Sequence, residues 1–427
     1  MDSFDEASAG YLHRSSSIQH GHTVLFKLPN GEVRGIKVEK DSTLSLGRVG
    51  SFFADELIGQ PYGLPYEIHD KRLRRLPPRT MQEIEETDAT NELINDGDLV
   101  QPLTVAEIES LKKSGVHASD IIQAQIEQHT NYTLKTEYSK EKYKQRKEAK
   151  YSKCFETIEP TVYSICDYWF KKDHHRIRDI RVDTLSQMLN LANVRPGGRY
   201  IIVDEASGLI VAAVLDRLGG ECRIISINDS DSPPAYPVLN LMNYDRKSLA
   251  SVLATLNWAT AQEDHTPVFP PLDPTSGRIH SERQRVRLDK RKAASDVVMN
   301  TRTELFAGEF DGLLVASEYD AFQIVEALSP FLAGSASIVV QNQFLQPLAG
   351  LQAQMRQIPT YLAPSVTEGW LRRYQVLPGR THPTMNTTGS AGFLLHVIKV
   401  YADISHSEEM RLTSPYIPII HQFSYYA

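Results

Sequence analysis

The stretch "RYIIVDEASGLIVAAVLDRLGGECRIISIND", residues 199–229, decides how this chain is read. Tyr200–Val203 is an apolar, β-rich run, and Asp204–Gly208 has turn composition. An apolar-periodic segment then ends at Gly219-Gly220, and a second run, Cys222–Ile227, closes on Asn228-Asp229. Strand, turn, helix, strand is how a unit that binds a nucleotide or S-adenosylmethionine opens. Such a unit has a glycine-rich loop and an acidic residue ending the second strand. Here Ala206 takes the first glycine position, Ser207 and Gly208 follow, and Ile210 takes the third. Glycines in such a loop adopt positive φ and let a cofactor approach the backbone, whereas a branched side chain crowds it. The expectation is a retained α/β scaffold with a degenerate cofactor loop at Ala206, Ser207, Gly208 and Ile210. Asp229 stands where a ribose-binding acid belongs and favours a working site.

Further strand-like segments recur at Asp311–Ala316, Ser337–Gln341 and Phe393–Val400, with apolar-periodic segments between several of them, as in a doubly wound sheet. Residues 262–292 break that rhythm. Their Pro-rich first half reads as disordered, and their Arg/Lys-rich second half has helical composition. Upstream, "TVLFKLPNGEVRGIKVE" alternates apolar residues around a Pro29-Asn30-Gly31 hairpin signal. The division expected is a disordered tail at 1–20, a barrel-like β domain at 21–100, a helical linker at 101–156 and an α/β domain at 157–427. Within the linker, Thr104-Val105-Ala106-Glu107 is a capping-box pattern, and "ASDIIQAQIEQHT" reads as an amphipathic helix.

Composition narrows the function classes. No apolar run approaches the roughly 20 residues that span a bilayer, and the polar N-terminus carries no secretory h-region. The three cysteines are far apart and form no C-x-x-C pair, which points to a reducing compartment without a zinc site. The adjacent His174-His175 pair lacks ligand spacing, so no metal is expected. There is no P-loop, no G-x-S-x-G and no H-E-x-x-H.

The net charge is −7, so any nucleic-acid contact must come from local basic clusters. In "TEYSKEKYKQRKEAKYSKCF" (136–155), lysines and Arg146 surround the helix cylinder with Tyr138, Tyr143 and Tyr151 interleaved. A helix basic on nearly every face is not a core element. Glu141 and Glu148 fit a merely solvated helix, but a phosphate backbone relieves the self-repulsion of so many bases by counterion release. Two more clusters, Lys171–Arg181 and Glu282–Lys292, point the same way.

Four motifs in order carry a resemblance: "KTEYSKEKYKQRKEAKYSK" (135–153), "RVDTLSQMLNLANVRPGGR" (181–199), "DGLLVAS" (311–317) and "WLRRYQVLPGRTHPTMNTTGSAGFLL" (370–395). Together they resemble the non-catalytic subunit family of the eukaryotic tRNA adenine-58 N1-methyltransferase. The resemblance implies an α/β Rossmann-like methyltransferase fold with a degenerate cofactor site, C-terminal to a small β-barrel-like domain and a helical linker. It implies a catalytic paralogue that holds S-adenosylmethionine, pairing into a heterotetramer in the nucleus, while this chain binds no cofactor and grips tRNA. The family's tRNA-contacting helix falls on Lys142, Tyr143, Lys144, Arg146, Lys147, Lys150 and Tyr151. Its basic loop falls on Lys171, Lys172, Arg176 and Arg178, with further contacts at Asp96, Gly97, Arg380, Thr381, His382 and Met385. Gln145, Glu148 and Ala149 dilute the helix relative to the family's lysine run, and the Gly389–Phe393 turn has fewer glycines.

Two other readings stay open. In one, the chain is itself an active S-adenosylmethionine-dependent RNA methyltransferase, with Asp229 on the ribose and Glu318 beside the base. In the other it is a scaffold whose basic helix is only solvated.

Overall fold

The computed structural model describes residues 15–77, 107, 110, 111, 116, 118–127, 140, 153–220, 222–230, 232–265, 282–377, 380–385 and 389–401. Six short strands open the chain: β1 (Thr23–Lys27), β2 (Val33–Lys37), β3 (Thr43–Ser45), β4 (Ser51–Phe53), β5 (Pro65–His69) and β6 (Arg72–Arg75). The expected hairpin at Pro29-Asn30-Gly31 joins β1 to β2. Helix α1 (Ala118–Glu127) follows, then β7 (Cys154–Ile158). β7 enters the middle of the antiparallel sheet, in the order β2-β1-β7-β5-β6, and β3 and β4 form a separate ribbon. The aromatic rings of Phe26, Phe52, Tyr66 and Phe155 pack together, with Phe52 stacked on Phe155 at 5.1 Å between centroids.

Two boundaries are thereby corrected. Residues 154–156, assigned to the linker and its basic helix, belong to a strand, because the alternate residues Phe155 and Thr157 are buried in this sheet. Residues 15–20 are not a loose tail, since Ile18 is wholly buried and Ser17 bridges Pro61.

The second unit carries α2 (Val162–Asp173), α3 (Val182–Leu191), β8 (Arg199–Asp204), α4 (Leu209–Leu218), β9 (Arg223–Asn228), α5 (Arg246–Val252) and β10 (Leu253–Asn257). It continues with α6 (Glu282–Ala307), β11 (Phe310–Ala316), α7 (Ala321–Leu328), β12 (Leu332–Asn342), α8 (Leu345–Met355), β13 (Tyr361–Glu368), a β14–β15 ribbon (Tyr374–Leu377 with Arg380–Pro383) and β16 (Phe393–Lys399). The seven-stranded sheet runs β10-β9-β8-β11-β12-β16-β13. The first five strands are parallel, and β16 is antiparallel to both its neighbours. This is a doubly wound, Rossmann-like sheet with an antiparallel strand near one edge. Tyr200, Ile202 and Leu314 bury on one face and Ile201, Val203, Leu313 and Val315 on the other. Burial on both faces is why these strands read as unbroken apolar runs. The Arg/Lys-rich half of the insert is helical from Glu282, and residues 266–281 lie outside the described residues. No helix among the described residues is long and apolar enough to cross a membrane.

Strand order places the site. After β8 the chain winds outward through β9 and β10, then returns to lay β11 on the other side of β8. Such a reversal leaves a crevice at the carboxyl ends of the two strands where ligands of open α/β sheets bind. Here it lies between the loop after Asp204 and the turn after Ala316.

Candidate cofactor crevice and RNA-facing surface

The loop from β8 to α4 is held by one carboxylate. Asp204 accepts from the backbone N–H groups of Ala206, Gly208, Ile210 and Val211 at 2.7–3.2 Å. It thereby satisfies donors that a helix start otherwise leaves open to an anion. Burial pushes its pKa above the ordinary carboxylate value, against the four N–H donors that pull it down. Ser207 (φ 60) and Gly208 (φ 85) are both left-handed, so the loop keeps the positive-φ turn with a single glycine.

Tyr236 closes over that turn. A Cβ placed on Gly208 would lie 2.6 Å from Tyr236 Cβ, so the tyrosine sits directly on the glycine. Its side chain is buried, its hydroxyl hydrogen-bonds with Ser226 Oγ, and burial pushes the phenol's pKa up. Val238 N–H donates to Ser207 O at 3.1 Å, which seals the segment onto the loop. Ala206 and Ile210 are wholly buried in the hydrophobic cluster on this side of the sheet. Ile210 thus faces the core, and a residue outside the loop occupies the space above the glycine. An S-adenosylmethionine cradle needs that space open, so the residues present do not fit the cofactor.

The crevice itself is plugged by Arg178. Its Nη2 donates to Ser317 O at 2.8 Å, and its Nη1 lies 3.1 Å from Glu318 and 3.8 Å from Glu205. Gln341 Nε2 donates to the Arg178 carbonyl at 3.1 Å, and Glu205 accepts the Glu318 backbone N–H at 2.6 Å. Only 6% of Arg178 is exposed, which corrects its assignment to a tRNA-facing loop. The guanidinium is committed to protein acceptors on both sides of the crevice. Glu318, the candidate base of the enzyme reading, is paired with it. Asp229 accepts from the Tyr319 hydroxyl at 3.3 Å, and burial plus the neighbouring carboxylates push that phenol's pKa up. Cys166 is buried, and burial pushes the Cys222 thiol up to about 11, so neither supplies a thiolate at neutral pH.

The other basic-loop residues are exposed at the end of α2. Lys171 pairs with Asp167 at 2.6 Å, Lys172 donates to Tyr168 Oη at 2.8 Å and lies over Trp169, and Arg176 flanks the same indole. Asp167 also pairs with Arg373, whose carbonyl accepts from the Thr384 backbone, so the base of the β14–β15 ribbon is tied to α2. Thr381, His382 and Met385 are exposed on or beside that ribbon, and Arg380 begins β15. Burial alone would raise the Asp167 carboxyl, but the Lys171 and Arg373 cations hold it below the usual range. Asp96, Gly97, Lys142, Tyr143, Lys144, Arg146, Lys147, Lys150 and Tyr151 lie outside the described residues.

Two features escaped the sequence reading. Arg181 is buried and grips Asp183 through Nε and Nη2 at 2.5 and 2.7 Å. It also donates to the Gly389 and Gly369 carbonyls, clamping the segments that flank the ribbon. The left-handed Arg178 and Asp179 fold Asp179 back onto both imidazoles, so candidate ligand atoms of His174, His175 and Asp179 lie within 4.8 Å of one another. Adjacent histidines can therefore face one carboxylate, which the spacing argument did not anticipate; the hydrogen bond between His174 and Asp179 accounts for the arrangement.

Comparison with known proteins agrees with this architecture. The family model described as Gcd10p matches residues 17–294. A relative from Schizosaccharomyces pombe, named tRNA (adenine(58)-N(1))-methyltransferase non-catalytic subunit trm6, is 30% identical, covering 92% of this chain and 94% of its own. A mouse protein named as the corresponding subunit, TRM6, is 26% identical over 82% of each chain. Among solved structures, an S-adenosylmethionine-dependent O-methyltransferase from Thermotoga maritima superposes with a TM-score of 0.50. It shares 10% identity, covers 91% of this chain and 96% of its own, and shows the fold alone. The chain belongs to the Gcd10p family.

Proposed function

We propose that this chain is the non-catalytic subunit of a tRNA (adenine-58-N1)-methyltransferase, which holds tRNA for a catalytic paralogue and binds no methyl donor itself. The observation that carries the reading is Tyr236 seated on Gly208. The Arg178–Glu318 pair supports it, because a carboxylate bound to a guanidinium is a poor base for a nucleobase proton. Subunits that carry the non-catalytic name match this chain along almost its whole length. The paralogue supplies S-adenosylmethionine, and two such pairs form a heterotetramer in the nucleus.

In this reading tRNA lies along Lys142, Tyr143, Lys144, Arg146, Lys147, Lys150 and Tyr151, with Lys171, Lys172 and Arg176 beside them. Asp96, Gly97, Arg380, Thr381, His382 and Met385 complete the contact. The test uses the assembled complex and full-length tRNA. Changing Lys142, Arg146, Lys147 and Lys150 together to Gln should lower the slope of log Kd against log salt by about 3, at about 0.7–0.9 per lost phosphate contact. An unaltered slope would remove the helix from the RNA path.

A further inference from the structure

Helix α6 is far longer than the sheet needs. Its C-terminal part packs, with Thr301, Arg302 and Leu305 buried. Glu304 reaches Arg199 and Arg223, at the starts of β8 and β9. Arg302 donates to the carbonyls of Thr260, Gln262 and His265, in the chain that leaves β10. A helix that leads into a parallel strand runs against the strands. The first part of α6 therefore projects past the carboxyl edge, the edge that carries the Asp204–Gly208 loop. Nearly every residue from Glu282 to Asn300 whose burial is described is exposed, a stretch about 27 Å long at 1.5 Å per residue whose first part forms the projecting arm.

The acids of the arm keep to one side of it. At about 100° per residue, Arg283, Arg287, Lys290 and Arg291 fall within one sector of about 100°, while Glu282, Asp289 and Asp296 share a narrow sector on another side. Val298, Thr301 and Leu305, which turn toward the body of the protein further down the helix, occupy the same sector as the four bases, and the buried Arg302 borders it. The core-facing stripe thus continues past the edge of the sheet as a basic stripe, about 12 Å long, that overhangs the carboxyl edge. All four bases are exposed, and none forms an ion pair among the described residues. A merely solvated helix has no reason to keep acids off one face, because i,i+4 pairs of opposite charge would stabilise it.

We infer that this stripe is a second RNA-binding element, which receives the phosphate backbone of the RNA as it passes between the α6 arm and the carboxyl edge of the sheet. The inference rests on the tRNA-binding function proposed above and adds an element none of whose residues that function uses.

The test compares two double variants of equal charge change, in the complex of the full chain with its catalytic partner and an unmodified tRNA transcript. Arg287→Gln/Lys290→Gln removes two bases from the stripe, and Arg285→Gln/Lys292→Gln removes two from outside it. Glutamine keeps similar helix propensity. The stripe variant should lower the slope of log Kd against log salt by about 1.5, so that it loses about eightfold less affinity than the parent between about 50 and 200 mM salt. The off-stripe variant should match the parent. Equal effects of the two variants, or no effect of either while the parent binds with a steep salt slope, would overturn the inference and leave the proposed function standing. Loss of the partner on purification of the stripe variant, with tRNA binding unaltered, would make the arm a protein interface and equally overturn it. A parent complex that does not bind tRNA would overturn the function beneath it.

Discussion

Asp204→Asn tests what holds the loop. The carboxylate serves four backbone N–H groups, two on each oxygen. Asparagine keeps one oxygen and turns an amide –NH2 toward the other pair, so two buried donors lose their acceptor. At about 1–3 kcal/mol for each orphaned donor, the expected cost is about 4 kcal/mol. A unit of this size unfolds with a urea slope of about 3 kcal/mol per M, so the midpoint should fall by about 1.3 M in unfolding followed by circular dichroism. Asp229→Asn changes an exposed carboxylate on the same edge and should cost less than about 0.5 kcal/mol. If Asp204→Asn were equally mild, the carboxyl would be carried neutral, as burial alone favours, and the loop would not rest on a charge.

Gly208→Ala places a methyl group 2.6 Å from Tyr236 Cβ at φ +85°. Left-handed strain and overpacking together should cost about 3 kcal/mol, and a fall in Tm of less than a degree or two would mean that Tyr236 is not seated there. Stability should fall in two stages on acidification. Burial lowers the pKa of His22 and His396, so their contribution is present above the unfolded value near about 6.5 and is lost as pH falls below it. Asp167 and Asp183 are held below the ordinary carboxylate value despite burial, by Lys171 and Arg373 and by Arg181, so theirs is lost only below about pH 4. Melting across the range checks both stages, and His396→Gln should flatten the first. Asp183→Asn, which takes the charge and one of the two acceptor oxygens from the carboxylate that the buried Arg181 grips, should cost about 2 kcal/mol in urea unfolding, and no change would mean that the pair does not hold the clamp.

The βαβ unit was legible because strands buried on both faces must be apolar throughout, and α4, apolar on nearly every side, is marked by its ten-residue length between Gly208 and Gly219. The lost glycines pointed to a closed crevice, but the side chain that closes it was not legible. Tyr236 lies in "SPPAYPVLN", which has no period, and it meets Gly208 only through tertiary folding. β7 was hidden for a related reason: its five residues pair with strands more than eighty positions away and adjoin a strongly basic run that dominates the local composition. Arg178 shows the limit of counting charges. In the sequence it is one more base in a basic cluster, and only the fold reveals two carboxylates and a carbonyl around it. The length of α6 was legible in part from its charge, but the alignment of its basic face with its packed face needed the buried positions near its end.

Calorimetry with S-adenosylmethionine tests the central claim most directly, first on this chain and then on its complex with the catalytic partner. The chain alone should give no saturable heat, and the complex should bind one donor per pair of subunits. Saturable micromolar binding to the isolated chain, or two donors per pair, would contradict the account.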